Sequence, residues 1–285
     1  MKQILIVLLN GLTSGAVYFM VASGFSLIFG LLRTVNLAHG SLYLIGAYIG
    51  YAVADKSSSW LLGMLAGAVA AAAVGAFMHL VLLRRAEGDN LRQALLTVGF
   101  SIIAADLLLL TFGPLTYQFE LPQLIEGAAS LPLIGSYSMV RLACMAIAIL
   151  TGVALWLILA KTKLGMAVRA GVDDRVMLAA LGFNVHYYYL IVFMLGAFVC
   201  GMAGTVGSSV FSISPGEDAR FLLSSLVVVI IGGMGSLKGA AIGALMVGVS
   251  EQLGLAYIPN YAITITFGLM MAVLALRPNG LYGRA

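Results

Sequence analysis

Charge is what this sequence has least of. Only 9% of its 285 residues are Asp, Glu, Lys or Arg, while 62% are hydrophobic. A water-soluble domain carries about 25% charged residues, because its surface has to be wetted. With so little charge, lipid must replace water around most of the chain. Cysteine is nearly as scarce. The two present, Cys144 and Cys200, both lie inside apolar runs, where a thiol acts as a small hydrophobe. That excludes a disulfide framework, a thiolate metal site and a redox pair.

The signatures of catalysis are missing too. There is no Gly-x4-Gly-Lys-Ser/Thr loop for nucleotide phosphates, no His-Glu-x-x-His, no Gly-x-Ser-x-Gly and no paired-Cys motif. The three histidines, His39, His79 and His186, are scattered. His79 sits near the end of its apolar run and His186 precedes Tyr187-Tyr188-Tyr189, so both read as interfacial residues, not ligands. No enzyme is expected, and no cofactor or metal in this chain.

What is there is long apolar stretches. A helix needs about 20 apolar residues to span a bilayer. Candidate spans are 4–32, 37–54, 60–83, 94–113, 141–160, 188–210, 221–255 and 262–276. Lys2 followed by Ile4 to Leu9 has the look of a signal peptide, but the run continues to Leu32, well past an h-region of about 7–15 residues. It reads as the first membrane helix. The expected fold is all-α, a polytopic bundle of about eight spans forming one transmembrane domain over residues 1–285.

Two of these stretches are interrupted. Arg33-Thr34-Val35-Asn36 separates the first two spans, and Gly232-Gly233-Met234-Gly235-Ser236 cuts the seventh. Interrupted apolar segments point to discontinuous helices in transporters. His39-Gly40-Ser41-Leu42 before Gly46-Ala47 is echoed by Met234-Gly235-Ser236-Leu237 before Gly243-Ala244. The spacing differs by two residues, so an inverted repeat and coincidence both stay open.

The net charge of +4 reads as a topology signal and not as a nucleic-acid footprint. Arg84, Arg85 and Arg92 share one loop, Lys161, Lys163, Arg169 and Arg175 another, and Arg277 and Arg284 the tail. Loops 114–140 and 211–220 hold Glu120, Glu126, Glu217 and Asp218, with Arg141 and Arg220 the only cations nearby. The basic loops and the C-terminus are therefore expected in the cytoplasm.

Candidate residues follow from the interruptions. Asn36, His39 and Ser41 stand at the start of an apolar helix, where free N–H groups favour a carboxylate. The plainer reading is that Asn36 caps the helix and His39 packs against a neighbour. Gly233, Gly235 and Ser236 lie in the later break, a turn between two half-helices that is placed to line a cavity, while Gly239 and Gly243 read as a tight helix crossing. Gly235, Gly239 and Gly243 repeat every four residues and offer a bare face for close packing. Asp106 and Glu251 lie within spans and must face the interior or sit near an interface. The loop at about 161–187 carries Gly165, Met166, Arg169, Ala170, Asp173, Asp174, Met177 and Leu181 at roughly helical spacing, with Gly182 placed to stop the helix. It is either a knob for another protein's groove or a connector lying on the membrane.

Four motifs resemble one family in order along the whole chain. Val35-Asn36-Leu37-Ala38-His39-Gly40 with Tyr43-Leu44-Ile45-Gly46-Ala47-Tyr48 is similar to the N-terminal signature of LivH-type permeases of branched-chain amino-acid ABC transporters. The stretches Leu164–Ala170 with Asp173-Asp174 and Leu181–Asn184, Ile230–Ala240 and Arg277–Gly283 resemble that family's cytoplasmic loop, late broken span and C-terminal tag. The resemblance implies an inner-membrane permease that imports branched-chain amino acids. It implies as partners a related permease, two cytoplasmic ATPases that bind ATP and Mg, and a periplasmic binding protein. The loop becomes a coupling helix for an ATPase, and the two breaks lie near the substrate path. Loop 114–140 looks shorter than in some relatives. The family also includes permeases for urea, short amides and other apolar amino acids. A passive channel would want paired Asn-Pro-Ala motifs, and an ion-coupled carrier more carboxylates than Asp106 and Glu251.

Overall fold

The computed structural model describes residues 2–32, 36–119, 127–131, 135–173, 175–180 and 182–283. Helix α1 (Lys2–Leu32) is followed by α2 (His39–Ser57) and α3 (Trp60–Phe77). The latter continues through a π-helical turn at Met78–Leu83. Next come α4 (Asn90–Phe112), a small antiparallel hairpin of β1 (Ala128–Leu131) and β2 (Gly135–Ser138), and α5 (Met139–Lys161). Two short helices, α6 (Lys163–Asp173) and α7 (Arg175–Ala180), form an elbow before α8 (Val185–Ser208). The chain closes with α9 (Glu217–Gly232), α10 (Leu237–Tyr257) and α11 (Ala262–Leu276). Among the described residues, seven helices are long and apolar enough to cross a membrane. The long 221–255 stretch does break, into α9 and α10. Neither α2 nor α9 is among the seven.

The bundle has two ends. The hairpin sits beside the start of α1, where the Tyr137 and Thr13 hydroxyls bond at 2.9 Å. The elbow lies at the other end. Helix α1 runs from hairpin to elbow, but α2 does not begin at the elbow. The His39 ring bonds the Val21 carbonyl at 2.9 Å, midway along α1, so the chain has already turned back into the bundle. Helix α9 starts at the same depth. A Cβ on Gly40 would collide with the Asp218 carbonyl, and Tyr43 and Phe221 stack with centroids 3.9 Å apart. From this crossing α2 runs to the hairpin end, where Trp60 donates to Ser209 at 2.8 Å. Helix α9 runs the other way, to a break where Gly235 lies against Gly30.

The two halves pack alike. Exchanging α1 with α8, α2 with α9 and α3 with α10 reproduces the pattern of neighbours: α1 lies on α10 as α8 lies on α3, and α2 on α3 as α9 on α10. The close approaches repeat as well. Gly63 and Gly67 of α3 face the Gly50 and Gly46 carbonyls, while Gly239 and Gly243 of α10 face those of Gly232 and Val228. Where α1 crosses α8, Gly24 and Gly196 each face the other's carbonyl. Without a hydrophobic drive between helices in lipid, such small-residue contacts hold a bundle together. This is the arrangement of an inverted repeat. It relates different stretches from those of the sequence echo, since Ser236 at the start of α10 corresponds to Ser59 at the start of α3.

Candidate functional site

The crossing at mid-depth is held by neutral groups on the α2 side. Asn36 is buried, and its Oδ1 accepts the Ala38 N–H at 3.1 Å while its carbonyl accepts that of His39 at 3.2 Å. Asn36 thus shapes the turn, and Ala38 occupies the cap position without a side-chain bond. His39 is fully buried. Its Nε2–H donates to Val21, which leaves Nδ1 without a partner, and the ring meets Phe25 edge-on at 5.3 Å. Ser41 bonds Ser101 of α4 at 2.8 Å, and the Leu37 N–H donates to Thr97 at 3.2 Å. These bonds pin α4 onto the start of α2. His79 is also buried, its ring 5.7 Å from that of Phe193, so it belongs to the interior and not the interface. His186 lies at the surface, 3.3 Å from Glu87.

The α9 side of the crossing is charged. The Arg220 guanidinium reaches Glu217 at 3.3 Å and Glu251 of α10 at 3.4 Å. The Tyr18 hydroxyl donates to the other oxygen of Glu251 at 2.5 Å. The Phe211 and Phe221 rings lie 5.8 and 5.9 Å from the guanidinium carbon, within reach of a cation–π attraction. Glu251 faces the interior, as its apolar context requires. Asp106 does not: it is exposed on α4, six residues, or about 9 Å of helix, from that helix's last residue. By sequence pattern alone Arg220 flanks the 211–220 loop. The signal that could have found it is the Glu217/Arg220 pair opening an apolar run.

The second break is elsewhere. Gly233 and Gly235 adopt φ of +97° and +82°, a region that only glycine enters freely. Ser236 caps α10 by accepting the Gly239 N–H at 3.0 Å. The segment after α11 docks here, its Leu281 and Tyr282 amides donating to the Ile231 and Gly232 carbonyls, both at 2.9 Å. These are final carbonyls of α9, which no helical turn can satisfy. The break packs on Gly30, nine residues and so about 14 Å along α1 from Val21. Asn36, His39 and Ser41 therefore form one group, and Gly233, Gly235 and Ser236 another.

The elbow buries one face and shows the other. Leu164, Val168 and Val172 of α6 and Leu178 of α7 pack with Leu27, Leu155, Leu159, Val185, Tyr189 and Leu237, and Ala167 is buried on α6. Gly165 is buried against the Leu159 backbone, and Arg169 donates to the Leu159 carbonyl at the end of α5. Met166 and Met177 are 57% and 60% exposed, with Ala170 exposed between them. Asp173 ends α6; Asp174 and Leu181 lie outside the described residues.

Comparison with known proteins places this architecture. The family described as the permease component of the branched-chain amino acid transport system matches residues 7–274. LivH of Salmonella typhimurium, a high-affinity branched-chain amino acid transport system permease protein, is 28% identical over 96% of this chain and 94% of its own. BraD of Pseudomonas aeruginosa, of the same description, is 28% identical over 97% and 95%. LivM of Escherichia coli is 29% identical over 93% of this chain and 67% of its own. The solved structure of PsaBC from Streptococcus pneumoniae in complex with Fab has a similar fold. Its TM-score is 0.51 and its identity 12%, over 96% of this chain and 92% of that one. The chain is a multi-pass membrane protein that belongs to the family of branched-chain amino acid transport permeases.

Proposed function

We propose that this chain is one permease subunit of an ABC importer that carries branched-chain amino acids into the bacterial cytoplasm. Energy comes from ATP hydrolysed by two partner ATPases, with a related second permease and a periplasmic binding protein completing the assembly. The elbow end and the C-terminus face the cytoplasm, where the basic loops cluster. The observation that carries this reading is the two-faced elbow. A transport-family chain without a nucleotide motif presents Met166, Ala170 and Met177 outward, as a helix seated in another protein's groove does. The inward face touches α1, α5, α8 and α10 through Leu27, Leu155, Val185 and Leu237. A push on the elbow therefore reaches the helices that support the crossing, which shifts as packed units do.

The test is purification from the native membrane in mild detergent, with mass spectrometry of co-purifying chains and leucine uptake after reconstitution. Two Walker-motif ATPases and a sister permease are expected. The double substitution Met166→Glu and Met177→Glu removes the ATPases and leaves the permease in the membrane. A stable oligomer of this chain alone, or ATPase recovery unaffected by the double substitution, overturns the reading.

A further inference from the structure

Arg220, Glu217 and Glu251 make a charged cluster that the chain leaves half open. Their side chains are 43%, 26% and 17% exposed. The depth is fixed by α1: Glu251 bonds Tyr18, and the start of α2, against which α9 begins, bonds Val21. Both positions are near the centre of a helix that runs from Lys2 to Leu32. The other described lysines and arginines lie in loops or in helical turns near the two ends. An exposed ion group at mid-depth cannot face lipid; such groups line a water-filled path or a protein partner. Ala219 and Leu223, on the same side of α9, are exposed with it.

The chemistry of the cluster narrows its ligand. Arg220 uses one Nη on each carboxylate and not a two-pronged fork, so it keeps donors for a third carboxylate. Glu217, the more exposed of its two partners, offers an anion beside that cation. Phe211 sets its ring 5.8 Å from the guanidinium carbon, and Leu223 is exposed about one turn further along α9. A cation and an anion side by side, with an apolar wall, match a zwitterionic α-amino acid with an aliphatic side chain.

We propose that Arg220 and Glu217 form a substrate subsite on the transport path. Arg220 holds the α-carboxylate, Glu217 the α-ammonium, and Phe211 and Leu223 flank the aliphatic side chain. Glu251 and Tyr18 are positioning residues that aim the guanidinium. This inference rests on the transport function proposed above.

The experiment uses the full importer in proteoliposomes with its binding protein, and reads [3H]leucine uptake. Arg220→Gln is expected to lower uptake at least tenfold while the complex is recovered at wild-type yield, and Arg220→Lys to restore part of it. Should Arg220→Gln not assemble, Ala219→Cys in the otherwise unchanged chain decides. Its reaction with a charged thiol reagent is expected, and leucine with binding protein and ATP is expected to slow it at least threefold. The native Cys144 and Cys200 are buried and add little background. Wild-type uptake by Arg220→Gln, or labelling of Ala219→Cys that is absent or unslowed, overturns the subsite and leaves the transport function standing. Absence of leucine uptake by the wild-type complex removes the transport function and this subsite together.

Discussion

Helices α2 and α9 begin at the same depth, in corresponding places of the two halves, and differ in almost everything else. The start of α2 is neutral and sealed: His39, Gly40, Ser41 and Tyr43 are buried, and His39 and Ser41 bond their own chain. The start of α9 carries Glu217, Asp218 and Arg220, and stands partly open. One architecture thus serves once as a fixed pivot and once as a polar surface. Near-symmetric backbones do not need symmetric chemistry, because close packing is set by small residues and function by the few side chains placed among them.

Substitutions can test that contrast, and the largest effect belongs to the point where the two starts touch. Gly40→Leu would drive a side chain into the Asp218 backbone and the Leu222 side chain. The expected result is loss of membrane yield and of uptake, read by immunoblot and transport assay; wild-type uptake would show that the starts do not meet. Glu251→Gln comes next. It removes the anion that joins Tyr18 to Arg220, and uptake is expected to fall several-fold with little change in thermal midpoint.

On the neutral side, His39→Leu loses the bond to Val21. It is expected to lower stability by about 1 kcal/mol, the net worth of an ordinary hydrogen bond, seen as a small drop in thermal midpoint without a change in substrate preference. A change in preference for that variant, or wild-type uptake by Glu251→Gln, would exchange the roles assigned to the two starts. The smallest effect compares the related caps. Ser236→Ala and Ser59→Ala each remove a helix cap, worth about 1 kcal/mol or less. Ser236 is expected to matter more, because its bond is 3.0 Å long against 3.4 Å for Ser59.

Much of this was legible in the sequence, for physical reasons. Scarce charge and long apolar runs gave the spans and the interruptions. The spacing of Met166, Ala170 and Met177 marks them as a group at helical period, and the structure shows that this group is exposed. Depth was not legible. Hydropathy reports which solvent a residue prefers, not how far the chain has turned back into the bundle. Arg220 therefore reads as a loop cation, and the breaks at Asn36 and at Gly233 as two points near one substrate path, with nothing in local pattern to show that they differ in depth. The glycines answer to the docked tail and to Gly30, contacts between residues too distant in sequence for local pattern to reveal.

The docked tail has a mechanical consequence. Two amides of the segment after α11 hold the last carbonyls of α9, so this half-helix is a lever clamped at its far end. Arg220 sits twelve residues from Gly232, an arm of about 18 Å, and a tilt of about 10° at the clamp would swing it about 3 Å. That is the difference between a charge pair in contact and one parted by a water molecule.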